Sequence, residues 1–456
     1  MPLRHTLRPL ATILIATLLT AAWSSGLETI ELDGYRATFD PNQDFLVLEG
    51  ELDCSPFGGA GAVQVTETSG RLGESDYLVY QPADWNGDLV LWAHGFRHSF
   101  MPGGTFLFAL PLGFGPEADE VELGQLRNQV VCRGFAFAAS AYEHTGLAVA
   151  EGMRDTHLLN VIARRHLGAE PAATYVSGHS MGGLIAVGLA EQFPHRYDGA
   201  LSTCGLLGGM LAAHDHVDHM RGLFEAFFPD MIESAPGTGP SLTPEAFDAF
   251  AGEVGARAQE EPAVLRRMAS VRFPGSERLD PEGVGIPLLW ADPAAPDATA
   301  EVGSLVNSLL GPMSLYLLNL DDGRTRGAGR LPFENRHFAY TGFDWTAEEE
   351  ADLNARVPRS EGDPWAVRYW TFHYEPSGDL EVPVVSIMAT HDPIVPLVHE
   401  WSYAQNVART GSSELYSTWV VPRYGHFATP QEYATALLAL VEWAETGMRP
   451  IWPTMP

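Results

Sequence analysis

From about Asp76 the chain alternates short runs of apolar, β-branched and aromatic residues with longer stretches whose apolar positions recur three and four apart. That alternation predicts strand–helix units in a mostly parallel sheet. DYLVYQP and DLVLWAHG read as strands, and so does NQVVCRGFAFAASAY. GMRDTHLLNVIARRHLG follows as an amphipathic helix with Leu158, Leu159 and Ile162 on one face. ATYVSG is the next strand, MGGLIAVGLAEQF the next helix and YDGALSTCG a further strand. The pattern lapses from about Leu206 to Asp379, where helix-like pieces are separated by Pro/Gly breaks and acidic stretches such as TAEEEADLN. It resumes with the strand EVPVVSIMATHDP, a helix over HEWSYAQNVART, the strand LYSTWVVPRYGH and a closing helix, PQEYATALLALVEWAE. One α/β sheet, interrupted by a large and mainly helical insertion, is the economical organisation. Its core falls in residues 76–205 and 380–456, its cap in 206–379, and residues 25–75 form an extension expected to be β-rich.

The first residues carry a different pattern. Arg4, His5 and Arg8 precede the apolar run LATILIATLLTAA, which is too short to span a bilayer comfortably, and Ala22-Trp23-Ser24 offers a small-x-small cleavage site. Residues 1–24 are therefore read as an export signal, with a secreted or periplasmic product and no stable membrane insertion after cleavage.

Charge narrows the chemistry. Asp and Glu total 58 against 27 basic residues, and the sequence contains no Lys, so Schiff-base, pyridoxal-phosphate and P-loop chemistry are excluded. A net charge of -31 repels nucleic acid and anionic membranes, and neither is an expected partner. The three cysteines, Cys54, Cys132 and Cys204, match no metal motif and allow one disulfide plus one thiol, with the pairing left open.

The candidate chemistry centres on Gly178-His-Ser-Met-Gly182, a G-x-S-x-G sequence between a strand and a helix. A serine standing clear of a sheet at that junction sits on a sharp, strained turn, where Cβ atoms two residues to either side would clash. Its hydroxyl needs a base, and the base needs an acid to orient it. Asp392, in HDPIVP, follows one strand, and His426, in RYGHF, follows the next; open α/β sheets place their sites at such carboxyl ends. The order Ser180, Asp392, His426 is the one this fold requires. Two backbone N–H donors must then hold an oxyanion, and they are assigned to Met181 and to Phe96 in the loop His94-Gly-Phe96.

HGF, GHSMGG, HDPIVP and GH, in this order, resemble the α/β-hydrolase superfamily, specifically its exported serine esterase and lipase-like branch. The likeness covers roughly residues 76–205 and 380–446, and the insertion stands where that family carries a cap or lid. The resemblance implies ester or amide hydrolysis through an acyl-enzyme, with no cofactor and no metal. A small-molecule or polymeric ester is the implied substrate. A serine peptidase or aminopeptidase of the same fold, and a non-catalytic binding protein, are the alternatives.

A competing motif lies in the insertion. His214-Asp-His-Val-Asp-His219 fits the H-x-H-x-D-H metal signature of metallo-β-lactamase-like hydrolases. It falls inside a helical pattern, and the other ligands of that family have no counterpart. It is therefore read as the polar start of a cap helix.

Overall fold

The computed structural model describes residues 28–39, 46–59, 61–97, 125–229, 244–272, 289–326 and 330–453. The export signal expected over residues 1–24 lies outside them.

The chain begins with a hairpin of β1 (Glu28–Leu32) and β2 (Tyr35–Phe39), then β3 (Leu46–Asp53), β4 (Ala62–Leu72), β5 (Ser75–Pro82) and β6 (Leu89–Ala93). A helix α1, described over residues 125–131, precedes β7 (Ala136–Ser140). Next come α2 (Val149–Leu167), β8 (Thr174–His179), α3 (Met181–Gln192) and β9 (Gly199–Thr203). The insertion carries α4 (Met210–Phe227), α5 (Pro244–Glu260), α6 (Pro262–Ala269), β10 (Val271–Arg272), α7 (Ala298–Arg326), β11 (Thr341–Gly342), α8 (Ala347–Arg356) and α9 (Pro364–His373). Then follow β12 (Val384–His391), α10 (Val398–Thr410), β13 (Tyr416–Tyr424) and α11 (Pro430–Thr446).

Nine strands form one sheet in the order β13-β12-β9-β8-β6-β7-β5-β4-β3. Neighbours from β13 to β7 run parallel, and β7, β5, β4 and β3 run antiparallel. This is the α/β-hydrolase fold, with β3 added at the antiparallel edge. Every residue of β6, β7 and β9, and of β8 as far as Gly178, is buried, which is why these segments read as continuous apolar runs rather than alternating ones. One face is covered by α2, α3 and α10, through residues such as Leu159, Leu184 and Tyr403. The other is covered by α1 and α11, through Val130, Tyr433 and Leu437. A second core joins α4, α6 and α7 around Phe224, Met268 and Leu309.

One expected element is corrected. NQVVCRGFAFAASAY is not a single strand: its first part lies in α1, and only Ala136–Ser140 is extended. Gly134, at φ 87, supplies the left-handed step between helix and strand. The apolar run misled because Val130 and Val131 are buried from a helix as completely as from a strand.

The extension at residues 25–75 contributes β1 to β4 among its described residues. Cys54 and Cys132 form a disulfide that ties the end of β3 to the turn after α1, across 78 residues of sequence. Closing a loop of that length stabilises the folded chain by roughly 4 kcal/mol on chain-entropy grounds. Cys204 remains a thiol, fully buried.

Candidate active site

Ser180 lies between β8 and α3 with φ 56 and ψ -122, a strained conformation for a residue with a Cβ. The backbone around it over-determines that strain. Its N–H donates to Thr203 O at 2.9 Å, and its carbonyl accepts the amides of Gly183 and Leu184 at 2.9 and 3.3 Å. A Cβ on Gly178 would stand 2.1 Å from Gly182 O, and one on Gly182 would stand 1.9 Å from Ala93 O. Glycine at both positions is therefore a steric requirement of the turn.

Asp392 follows β12 and is wholly buried. Its Oδ1 accepts the amides of Ile394 and Val395, each at 2.9 Å, so the loop after the strand clamps the carboxylate. Its Oδ2 is then left facing His426 Nδ1, 2.6 Å away. Donation from Nδ1 to that oxygen leaves Nε2 as the basic nitrogen.

The loop holding His426 is fixed from both ends. Gly425 donates to His391 O at 3.2 Å, and Arg423 hydrogen-bonds the carbonyl of Phe427 and the Glu432 carboxylate. Thr429 and Glu432 form a capping box at the start of α11. The His426 ring lies 4.8 Å, centroid to centroid, from that of His179, the residue before Ser180. Burial first, and the charge of His426 second, hold His179 well below the usual imidazole range, so it stays neutral beside an imidazolium.

The loop after β6 is held by His94. Its Nδ1 lies 2.7 Å from Gly95 O, its ring stacks on Tyr142 at 3.7 Å, and Tyr142 Oη donates to the His94 carbonyl at 3.1 Å. Burial, reinforced by the Arg97 charge, pushes the His94 pKa down to about 3, so the ring is neutral and donates from one nitrogen. In a planar trans peptide, gripping the Gly95 carbonyl aims the Phe96 N–H the opposite way. A Cβ on Gly95 would lie 3.3 Å from the Cβ of Ser180, which brings this loop against the serine. Met181 occupies the first position of α3, where a backbone N–H has no partner within its helix.

The structure thus brings Asp392, His426 and His179 together, with Ser180 adjoining His179 in the chain and Gly95 in space. The insertion also reaches this end of the sheet. Tyr424, at the end of β13, donates to Ser304 O at 2.9 Å and lies 3.1 Å from Ser308 Oγ, both on α7. A Cβ on Gly311 of α7 would stand 3.1 Å from Ile394, two residues past Asp392.

The histidine motif lies within α4, where residues two apart point to opposite sides of the helix. His214 faces Trp370, with ring centroids 5.0 Å apart, and His219 Nδ1 pairs with Tyr340 Oη at 2.8 Å. Burial drives both imidazoles down, to about 4 and about 3, and drives Asp218 up to about 7. Among the described residues, the group whose donors converge at metal-like spacing is Cys204, Asp392 and His426 instead. The sequence pointed to Cys204 only as an unassigned cysteine. The signal for its place is its position just past β9, a neighbour of β12, at the carboxyl end that also carries Asp392.

No protein-family model matches the chain, and no curated protein matches it. Solved structures similar to it include an esterase from Aspergillus oryzae, at 13% identity over 92% of this chain and 88% of that one, with a TM-score of 0.46. Feruloyl esterase B from Aspergillus oryzae is similar at 14% identity over 91% and 82%, with a TM-score of 0.41. A ligand-bound form of the rice cell wall degrading esterase LipA from Xanthomonas oryzae is similar at 12% identity over 88% and 97%, with a TM-score of 0.40.

Proposed function

We propose that the chain is an exported serine hydrolase that cleaves carboxylic esters through an acyl-enzyme. Ser180 Oγ attacks the ester carbonyl while His426 Nε2 takes its proton. Asp392 holds the imidazole by Nδ1 and stabilises the imidazolium that forms. The amides of Phe96 and Met181 donate to the oxyanion, and the start of α3 favours the same developing charge. His426 returns the proton to the leaving alcohol. Water, activated by the same base, then releases the acid and regenerates the serine. No cofactor and no metal take part.

The observation that carries this reading is the buried Asp392–His426 pair, at 2.6 Å, beside a serine held at φ 56 by glycines that no side chain can replace. The contacts of α7 with Tyr424 and Ile394 support a cap role for residues 206–379, closing over the acyl site. Export is supported by the apolar N-terminal run and by the Cys54–Cys132 disulfide, a bond that persists in oxidising compartments. No helix among the described residues is long and apolar enough to cross a membrane.

A panel of p-nitrophenyl esters of increasing acyl length, run beside aminoacyl p-nitroanilides on the purified protein, tests the reading. Turnover of the esters is expected. Turnover of the anilides alone would assign the site to peptide hydrolysis.

A further inference from the structure

Cys204 belongs to neither the disulfide nor the steps of hydrolysis, yet it stands against the acid and the base. Its thiol sulfur, one carboxylate oxygen of Asp392 and one ring nitrogen of His426 all lie within 4.8 Å of one another, and all three residues are buried. The backbone holds the cysteine there at φ 47, in the left-handed region that a residue with a Cβ enters rarely. Its amide is tied to Ile387 O of β12 at 2.7 Å. Met388, Ile394 and Val395 pack around it, so the three donors meet in an apolar enclosure.

We propose that Cys204, Asp392 and His426 form a capture site for a thiophilic divalent cation such as Zn2+ or Cd2+, and that capture withdraws the acid and the base together. One sulfur, one imidazole nitrogen and one carboxylate oxygen are the donor set of soft and borderline cations, whereas Mg2+ and Ca2+ require oxygen donors. Tetrahedral zinc with these donors needs separations of roughly 3.5 Å, so side-chain shifts of about an ångström close the cluster on an ion. Asp392 is already oriented by the Ile394 and Val395 amides on its other oxygen, the outer support that metal carboxylates require. Binding places the ion between the carboxylate and the imidazole, where Nδ1 now donates to Oδ2 at 2.6 Å. The thiol proton leaves to solvent and the imidazole proton moves from Nδ1 to Nε2, so His426 can no longer take the proton of Ser180. The site is thus inhibitory, and a cell that exports the chain into metal-rich surroundings would meet it as a reversible off-switch.

Metal capture is independent of the proposed hydrolysis, whereas the loss of turnover rests on it, and the experiment separates the two. Purified full-length chain is titrated with CdCl2. Bound metal is measured by equilibrium dialysis and by the ultraviolet thiolate-to-cadmium charge-transfer band, and ester turnover is followed in parallel. The expected result is one Cd2+ per chain with the thiolate band, loss of turnover, and recovery on adding EDTA; MgCl2 and CaCl2 do nothing. Cys204→Ser and Cys204→Ala, each compared with its own metal-free rate, lose at least about tenfold in sensitivity and lose the band. Ser180→Ala, which abolishes the proposed hydrolysis, still binds Cd2+. Equal sensitivity of the cysteine variants and the parent, or binding without the thiolate band, would overturn the proposal.

Discussion

Asp392 divides its carboxylate: Oδ1 takes the amides of Ile394 and Val395, and Oδ2 takes His426 Nδ1 at 2.6 Å. The acid is thus anchored by its own loop and free to do one thing with its other oxygen, which is to set the tautomer of a buried imidazole. Substituting Asn keeps the shape and an oxygen for the two amides, but it can present an NH2 to Nδ1. Nε2 would then carry the proton and could not accept one. Asp392→Asn should lower kcat by about 10⁴ with little change in KM or in the thermal midpoint. A loss below about tenfold would remove Asp392 from the mechanism.

Gly182 tests the turn itself. A Cβ there would lie 1.9 Å from Ala93 O and 2.7 Å from His94 O, both backbone atoms that cannot swing aside. Gly182→Ala should cost about 3 kcal/mol or more, or prevent soluble expression, as read by chemical denaturation. A variant as stable as the parent would show that β6 and α3 do not approach as described.

These two residues also mark what was legible in the sequence. The Ser180 turn was, because its demands are local: strand, small residues and helix occupy consecutive positions. Asp392 and His426 were legible because each follows an apolar strand that announces where the carboxyl edge lies. Cys204 was not, since its place beside them depends on β9 lying next to β12, two strands separated in sequence by the whole insertion. The Cys54–Cys132 pairing was hidden for the same reason. Helix α1 was hidden because a buried apolar run has no period to distinguish helix from strand. The histidines of α4 carried a metal-like spacing, and the helix separated them.

Glu400 gives a pH dependence of stability. It is buried on α10, where Ser386 and Tyr416 donate to its Oε1. Burial raises its pKa from 4.5 to about 7. The folded state therefore holds a proton that the unfolded state releases, and this contribution is lost as pH rises from about 5 through 7. The loss is about 3 kcal/mol at most. Glu400→Gln should be more stable than the parent at pH 8 and lose that advantage near pH 5, as read by urea denaturation at both. Parallel stability curves would contradict a buried, neutral Glu400.

Buried histidines act in the opposite sense. His94, His157, His216 and His399 are held at about 3 to 4, chiefly by burial, so in acid the unfolded state binds protons that the folded state refuses. Their contribution is present above the ordinary imidazole range and is lost as pH falls toward 4. His216→Gln should flatten the acid limb of the stability curve, measured by thermal unfolding between pH 4 and 7. An unchanged limb would mean that His216 is charged in the folded state.

The most direct measurement is kcat/KM of Ser180→Ala against the parent, on one soluble p-nitrophenyl ester, with circular dichroism confirming the fold of both. Ser180 has no substitute nucleophile in the proposed mechanism, so a loss on the order of a thousandfold or more is expected, with an unchanged spectrum. Retention of most of the activity in a folded variant would contradict hydrolysis through Ser180, Asp392 and His426.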